Sequence, residues 1–421
     1  MVSKYIMRGV TMAVTLLLAS SACSAQHKIN WQRDLDSLAA WLPQKHFNLF
    51  MYRDKKSFYE GIDRLKDEAP SHTSTEMVLK IQQFLVKFGD AHTGANYPQK
   101  MSPNRIYPLG LDCYGSDYYV TTTYKRYSAL LGSRIVSING HPMADVEKKF
   151  STLVVADSRA SIMNTVPKIM AFAQIHEFLG IASGDSITIA YDKNGTKGRI
   201  TVRAVGINPS AMVNIRPSKY AMHIENSNTL FTDTYLPDDK IYYVQYNKCW
   251  NRELEERYGS RESAAQMPSF VELEQRMAKT LEEKDVKKLV FDLRYNSGGN
   301  SAPFTELVKK LAAKLKDRSD IRCYAVVGRA TYSSGILNSL DLKNYLGATF
   351  VGEQTAGCPN HLGEIRSFDL PTSGLEITFS TKYFAQKDIK DGPLRPDVVK
   401  EPAYEDFLRG TDPVLEWIRQ Q

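Results

Sequence analysis

Residues 288–300 read KLVFDLRYNSGGN and join an apolar run to a glycine-rich loop. A nearly continuous apolar run such as 288–293 is typical of a strand that is buried on both faces of a parallel sheet. The paired glycines at 298 and 299 let backbone N–H groups approach a ligand closely. The loop therefore suits an anion hole or a phosphate site, and a simple tight turn is the alternative.

Strand and helix patterns alternate on both sides of this stretch. Apolar runs rich in β-branched and aromatic residues predict strands, whereas apolar residues at helical spacing predict helices. The predicted strands cover 241–246, 288–293, 321–327 and 349–352, and the predicted helices cover 270–281, 304–315 and 334–346. Such alternation is typical of α/β layer structures, so we predict an α/β fold for this half of the chain.

A second junction follows the predicted strand 321–327. Residues 328–335 read GRATYSSG, a sharp turn that leads into the next helix. Ser333 would lie there beside unpaired backbone N–H groups and the positive end of the helix. These features stabilise the oxyanion that forms when a hydroxyl attacks a carbonyl. Alternatively, Ser333 only caps the helix, because serine is a favoured N-cap residue.

A third polar segment follows a helical region near the N-terminus. Residues 89–94 read GDAHTG, in which two glycines bracket a polar run, as is typical of loops. His92 is a candidate general base, because imidazole titrates near neutral pH. The other histidines lack metal-ligand spacing and the cysteines form no CxxC pair, so no metal site is predicted.

Four motifs then occur in order: DLRYNSGG at 292–299, TYSS at 331–334, VGEQTAG at 351–357 and RPDV at 395–398. Together with the loop around His92, they resemble the tail-specific, or C-terminal-processing, family of serine peptidases, in particular its branch related to the tricorn protease core. The resemblance implies a ClpP- and crotonase-like α/β core, an N-terminal helical region and an inserted PDZ-like β-rich domain. Residues 131–140 resemble the strand and Asn-Gly turn of that domain.

The resemblance also implies roles for individual residues. It makes Ser333, rather than Ser334, the nucleophile and His92 the general base. The backbone N–H of Ser334 and one from the Gly298–Gly299 pair would form the oxyanion hole. Neither a cofactor nor a metal would be required.

The sequence departs from the family pattern at two positions. Cys358 stands where one branch of the family carries a lysine base, which leaves His92 as the better candidate. Ala91 stands where the tricorn-like branch has a serine before its histidine. The support that this serine would give is therefore missing.

The acidic partner of the imidazole is the least clearly marked part of the site. The resemblance to the tricorn-like branch implies an acidic residue near the end of the chain, and Asp391, at roughly that branch's distance after Ser333, is the residue we predict for this role. Asp90 and Glu364 are further candidates. A carboxylate in this position would hold the imidazole tautomer and stabilise its charged form.

The first 25 residues have the pattern of a secretory signal. Lys4 and Arg8 precede the apolar stretch Val10–Ala19, and either cleavage after Ala25 or lipidation of Cys23 would follow. We therefore expect a periplasmic or cell-envelope protein that touches the membrane only through a lipid on Cys23. After the signal (1–25), we predict a helical region carrying His92 (26–100), a PDZ-like domain with a helical insertion (101–207) and a peptidase core (208–421).

These observations predict an exported serine endopeptidase that acts on protein or peptide substrates. PDZ domains bind extended peptides, often at their C-terminal ends. The net charge of +7 is accompanied by no basic run, so nucleic acid is not an expected partner. Two alternatives stay open: an inactive relative that binds lipid or peptide, and a crotonase-like acyl-CoA enzyme, which the export signal disfavours.

Overall fold

The computed structural model describes residues 29–98, 101–387 and 389–421. The predicted signal segment, with its alternative processing sites at Ala25 and Cys23, lies outside the described residues. Within the described ranges, none of the helices combines the length and the apolar character needed to cross a membrane.

Three helices and one short strand form the N-terminal region. Asn30, Asp54 and Thr73 cap the helices by accepting a backbone N–H in the first turn, as N-cap residues do. The apolar faces of the helices pack into one hydrophobic cluster. The elements are α1 (Trp31–Lys45), α2 (Lys55–Glu68), α3 (Ser74–Val86) and β1 (Gly94–Asn96).

A β-rich region follows, as expected. The elements are β2 (Arg105–Ile106), β3 (Leu109–Tyr114), β4 (Asp117–Tyr124), β5 (Arg134–Ile138), β6 (His141–Pro142), α4 (Met143–Phe150), α5 (Arg159–Ile169), α6 (Ala173–Phe178), β7 (Ser186–Lys193), β8 (Thr196–Arg203), β9 (Val205–Gly206) and β10 (Met212–Asn214). The main sheet is antiparallel, with the order β10-β4-β5-β7-β8 and with β3 and β6 paired to β4 and β5, while β2 and β9 form a separate pair. The predicted helical insertion contains two separate helices, α5 and α6, because the chain turns between them.

The C-terminal region alternates strands and helices. Its helices are α7 (Met222–Glu225), α8 (Arg252–Tyr258), α9 (Arg261–Ala264), α10 (Phe270–Glu283), α11 (Ala302–Lys314), α12 (Ser334–Leu346), α13 (Tyr404–Arg409) and α14 (Pro413–Arg419). Its strands are β11 (Phe231–Leu236), β12 (Ile241–Tyr246), β13 (Lys288–Asp292), β14 (Arg322–Val327), β15 (Thr349–Gly352), β16 (His361–Asp369), β17 (Glu376–Phe384) and β18 (Val398–Val399). The predicted α/β fold class is confirmed.

A six-stranded sheet forms the centre of this region, with the order β11-β12-β13-β14-β15-β18. The pairing of β11 with β12 is antiparallel, and the other pairs are parallel. Separate hydrophobic clusters cover its two faces, which explains the continuous apolar runs of its strands. Loops that follow neighbouring parallel strands meet at one edge of the sheet, and ligand sites of open α/β sheets lie at that edge.

The hairpin β16–β17 was not predicted from the sequence. Its second strand pairs with β1, and its apolar side chains join the cluster of α1–α3. The buried carboxylate of Asp34 in α1 accepts hydrogen bonds from the backbone N–H groups of Thr372 and Ser373 in the hairpin turn, at 2.8 and 2.9 Å. Residues 361–384 therefore pack with the N-terminal region, although they belong to the segment 208–421 that we predicted as a separate core.

Candidate active site

Ser333 lies at the sharp turn between β14 and α12. It is the N-cap residue of α12 with φ +50° and ψ −124°, a conformation that residues with a Cβ rarely adopt. Two hydrogen bonds to the segment after β13 hold the turn in place. The Thr331 hydroxyl donates to the carbonyl of Leu293 at 2.8 Å, and the N–H of Tyr332 donates to the carbonyl of Asn296 at 2.9 Å. Strain of this kind is concentrated at functional sites, where the surrounding structure enforces it.

The glycine-rich loop after β13 packs directly against this turn. Gly298 and Gly299 have φ of +103° and +135°, which favours glycine at both positions. A Cβ on Gly298 would lie 2.9 Å from the Cβ of Ser333 and 3.1 Å from the backbone nitrogen of Ser334. The absence of side chains therefore allows the loop backbone to approach the predicted nucleophile.

Two backbone N–H groups are available beside Ser333. Ser334 is the first residue of α12, where N–H groups lack an acceptor within the helix, and its hydroxyl donates to the carbonyl of Gly299 at 2.7 Å. Within the described ranges, the N–H groups of Ser334 and Gly299 have no acceptor. The N–H of Gly298, by contrast, donates to Oδ1 of Asn296 at 2.9 Å. Of the two predicted glycines, Gly299 thus offers the free donor.

His92 lies buried in the loop between α3 and β1, against the residue that precedes Ser333. Its Nδ1 is 3.1 Å from the hydroxyl of Tyr332, and the two rings stack with centroids 4.8 Å apart. The ring also stacks with His361, at 5.8 Å between centroids. Within the described part of the chain no hydrogen bond joins His92 to Ser333, and the backbone carbonyl of Leu362 lies near the ring as an acceptor that raises the His92 pKa.

The carboxylate beside the imidazole belongs to Asp90. Its Oδ1 is 3.8 Å from Nδ1 of His92, and it accepts hydrogen bonds from the His92 N–H at 2.9 Å and the Thr93 hydroxyl at 2.6 Å. Nε2 of His46 lies 3.0 Å from Oδ2 of Asp90. Because Nδ1 of His46 accepts from the N–H of Asn48 at 3.0 Å, Nε2 carries the proton and donates to Asp90. Asp90 is therefore held in place by three donors.

Burial and hydrogen bonding set the charges of this cluster. Burial opposes the ionisation of Asp90, but the hydrogen bonds from His46 and Thr93 outweigh it and lower the pKa to about 2. Burial lowers the pKa of His92 to about 4, against the raising effect of Asp90. Burial and the charge of Asp90 raise the pKa of the half-buried Asp157 to about 6. Near neutral pH the cluster thus combines an ionised Asp90 with a neutral imidazole.

The other predicted residues lie farther from the ring. Asp391 accepts a hydrogen bond from Nδ2 of Asn360 at 2.9 Å and forms no ion pair with His92 among the described residues, although both line a cavity of about 390 Å³. Glu364 is exposed. Cys358 lines the same cavity, and burial raises the pKa of its thiol to about 11. The structure therefore places Asp90, and not Asp391, beside the imidazole.

Three residues of this cluster were not singled out from the sequence. His46 is 44 positions from Asp90, and no local pattern links the two. Thr93 and Tyr332 lie inside quoted motifs. The Thr93 hydroxyl contacts Asp90 within the same loop, whereas the Tyr332 hydroxyl contacts His92 only when that loop meets the turn before α12. A contact between segments 240 positions apart leaves no signal in a single sequence.

Comparison with known proteins identifies the fold. The sequence matches no model of a known family and no curated protein. The chain shares its fold with solved structures of CPAF. The solved structure of mature CPAF complexed with lactacystin has a TM-score of 0.64 at 11% identity, covering 93% of this chain and 97% of that chain. Mature CPAF gives 0.63 at 11% identity, with 92% and 95% covered. The photosystem II D1 C-terminal processing protease gives 0.40 at 16% identity, with 91% and 98% covered.

Proposed function

We propose that this chain is an exported serine endopeptidase that hydrolyses peptide bonds of proteins or peptides, with Ser333 as the nucleophile and His92 as the general base. One observation carries the proposal. The strained Ser333 turn, two free backbone N–H groups and a buried imidazole lie together at the carboxyl ends of β13 and β14. Backbone donors beside a serine and a histidine are the parts that acyl transfer needs.

In the first half of the reaction, the Ser333 hydroxyl attacks the scissile carbonyl and gives its proton to Nε2 of His92. A new bond joins Oγ to the carbonyl carbon, and the carbonyl oxygen becomes an oxyanion that accepts hydrogen bonds from the N–H groups of Ser334 and Gly299. The carbon–nitrogen bond then breaks, while His92 returns its proton to the leaving amine. This leaves an acyl ester on Ser333.

In the second half, His92 takes a proton from water, whose oxygen attacks the ester carbonyl. The oxyanion re-forms and collapses, the bond to Oγ breaks, and His92 returns the proton to Ser333. The products are a free carboxylic acid and the regenerated hydroxyl. No metal or cofactor enters these steps.

The surroundings of His92 support its role as the base. Its Nδ1 faces the Tyr332 hydroxyl and the Asp90 carboxylate, so the tautomer protonated at Nδ1 leaves Nε2 free for the serine proton. Burial favours the neutral ring that can accept this proton. The nearby anion of Asp90 stabilises the imidazolium that forms in the transition state. Catalytic hydrogen bonds often tighten only when substrate is bound. We propose that the hydrogen bond between Ser333 and His92 forms in this way.

The experiment is a cleavage assay on an unfolded protein substrate with two single variants. Ser333→Ala should reduce kcat by at least about 10⁴-fold and His92→Ala by a comparable factor, because members of such a pair act as a unit. Ser210→Ala and His141→Ala, at an exposed serine and a histidine remote from the site, are the matched controls and should retain full activity. Full activity of Ser333→Ala would refute the proposal.

Export and cell-envelope location rest on residues 1–25 and stay part of the proposal. The mature protein, isolated from the envelope of its own cells, should begin at Gln26 or at a lipid-modified Cys23. Intact-mass analysis distinguishes the two, because a lipid adds a large apolar mass to the N-terminus. An unprocessed Met1 in the cytoplasmic fraction would overturn this part of the proposal.

A second candidate, a binding protein without catalysis, is favoured by one observation. No hydrogen bond joins Ser333 to His92 in the described structure, and the site is flanked by cavities of about 580 and 590 Å³. A carrier of this kind would retain peptide or lipid without cleaving it. It would also fail to react with a fluorophosphonate at Ser333, which separates the two candidates.

A further inference from the structure

A cavity of about 580 Å³ opens beside the candidate active site. His92, Ala330 and Tyr332 line its inner side. The opposite walls come from α3 and from the inserted segment 153–175 of the β-rich region. They contribute the apolar side chains of Leu79, Val154, Val155, Ile169, Phe172 and Ile175, and with them the polar side chains of Gln82, Asp157, Ser161, Asn164 and Thr165. A volume of this size is typical of sites that enclose a ligand group.

Two of the polar side chains in these walls, those of Gln82 and Ser161, already have partners. Gln82 accepts a hydrogen bond from the N–H of Ala95 at 2.9 Å through Oε1 and donates to the carbonyl of Leu153 at 3.0 Å through Nε2. Ser161 donates to the carbonyl of Ala356 at 2.7 Å. A polar group that reached this part of the wall would therefore lose water without gaining Gln82 or Ser161 as a partner, which is unfavourable. An apolar group would gain free energy from its burial.

The outer wall is fixed to the core by its own helix cap. The hydroxyl of Ser158, the N-cap residue of α5, lies 3.0 and 3.1 Å from the carbonyls of Thr355 and Ala356 in the loop after β15. The bond from Ser161 reaches the same loop. Contacts of this kind hold a pocket at a set distance from the reacting group, as specificity requires.

The opposite side of the site differs in character. A second cavity of about 590 Å³ shares Asn164, Ser297 and Ala330 with the first, so the two meet beside the Ser333 turn. The second is lined by charged residues as well as apolar ones: Asp112, Lys168, Arg294, Arg329, Glu353 and Lys400. An extended peptide that passes Ser333 would thus meet an apolar cavity on one side and a charged cavity on the other.

We propose that the cavity bounded by α3 and segment 153–175 is a specificity pocket that takes a bulky apolar side chain, such as leucine or phenylalanine, from the substrate residue next to the scissile bond. This inference rests on the proposed peptidase function and names its substrate class. Val155 is the residue that tests it. It lines the cavity and is half-buried, so a larger side chain there fills the pocket without entering the core.

The experiment uses the full-length mature protein and internally quenched peptides that differ only at the two residues flanking the scissile bond. At each position, leucine, phenylalanine, alanine and lysine are compared by kcat/KM. The variants are Val155→Trp, which fills the pocket, and Val136→Trp, a matched change at a valine that is 43% exposed on β5. Fluorophosphonate labelling of Ser333 is measured on every variant.

The wild type should prefer leucine or phenylalanine over lysine at one of the two positions. Val155→Trp should lower kcat/KM for the bulky apolar peptides by about 10- to 100-fold and change the alanine peptide by less than about threefold. Val136→Trp should leave all values unchanged. An equal loss for every peptide, or no loss for any, would overturn the inference.

A second variant keeps the test decisive if the tryptophan disturbs folding. Val155→Lys places a cation in the pocket and should convert the preference at the same position from leucine towards glutamate, with Ser333 still labelled. An unchanged leucine preference in this variant would count against the pocket. A wild type that neither cleaves any peptide nor labels at Ser333 would instead refute the proposed function itself.

Discussion

The serine half and the histidine half of the site are built in different ways. The serine half consists of two short segments, 292–300 and 328–335, which follow the neighbouring parallel strands β13 and β14. The histidine half combines the loop at 89–94 with His46, and the hairpin β16–β17 packs against it. Sheet pairing alone brings the first half together, whereas the second depends on contacts between segments far apart in the chain. The first half should therefore be sensitive to local backbone changes, and the second to the loss of single remote partners.

Among changes outside the Ser333–His92 pair, the largest effect is expected for Gly298→Ala. The new Cβ would lie 2.9 Å from the Cβ of Ser333 and would displace the backbone donors, so kcat should fall by about 10²- to 10³-fold. Gly195→Ala is the matched control, because this glycine also has a positive φ but open space around it. Steady-state kinetics of both variants, with circular dichroism to verify folding, make the measurement. Equal losses would show that general backbone strain, and not the packing of the serine half, is responsible.

A smaller effect, about 10²-fold in kcat/KM, is expected for Asp90→Asn. The change removes the anion beside His92, whose separation of 3.8 Å from Nδ1 makes it a weaker partner than a directly bonded carboxylate. The kcat/KM of Asp391→Asn should stay within about threefold of the wild type, because Asp391 bonds to Asn360 instead. If Asp391→Asn lowered kcat/KM more than Asp90→Asn does, the acidic partner of His92 would be Asp391 and not Asp90.

The pH profile tests the burial of the imidazole. The His92 ring has a pKa of about 4 in the fold and an ordinary value of 6.5, so the base stays neutral and kcat/KM should fall only as the pH drops through about 4. Between about pH 4 and pH 6.5, His92 binds a proton in the unfolded chain but not in the folded one. The free energy of unfolding therefore decreases as the pH is lowered through this range. His92→Gln should lose less stability over this range than the wild type. An acid limb near pH 6.5 would indicate an exposed ring.

The smallest effect is expected for Tyr332→Phe. The variant keeps the ring that stacks on His92 but removes the hydroxyl 3.1 Å from Nδ1. Loss of one such hydrogen bond should lower kcat/KM by no more than about tenfold and alter the acid limb of the pH profile. Tyr295→Phe, which removes a hydroxyl bonded to His223, is a comparison outside the His92 cluster. A loss above 10³-fold would give Tyr332 a direct part in proton transfer.

The same contrast explains which features could be predicted from the sequence. The bounds of β12, α12 and β15 agree with those predicted, because these elements combine a strong local pattern with clear ends. The Ser333 turn and the glycine loop were assigned from sequence motifs. Each motif follows a strand, and the two strands, β13 and β14, are neighbours in the sheet. Only the structure shows which of the two glycines can donate to the oxyanion. The N–H of Gly298 already donates to the side chain of Asn296, which leaves the N–H of Gly299.

The remaining features depend on tertiary contacts. The strands β16 and β17 have irregular burial patterns without a continuous apolar run and gave no clear strand signal, yet their apolar side chains join the cluster of the N-terminal helices. The pairing of His46 with Asp90 and the contact of Tyr332 with His92 follow from that packing. The break between α5 and α6 lies where Phe172 forms a bridge to Ile106 and the carbonyl of Ala171 accepts a hydrogen bond from the N–H of Tyr107. No single segment contains that information.

The most direct test of the central claim is mass spectrometry of the purified protein after treatment with a fluorophosphonate. Peptide mapping should find one adduct on Ser333, none in Ser333→Ala, and a much slower reaction in His92→Ala, because the hydroxyl reacts only when the imidazole takes its proton. A correctly folded wild type that forms no adduct, or one that is modified on Ser334 instead, would contradict the account.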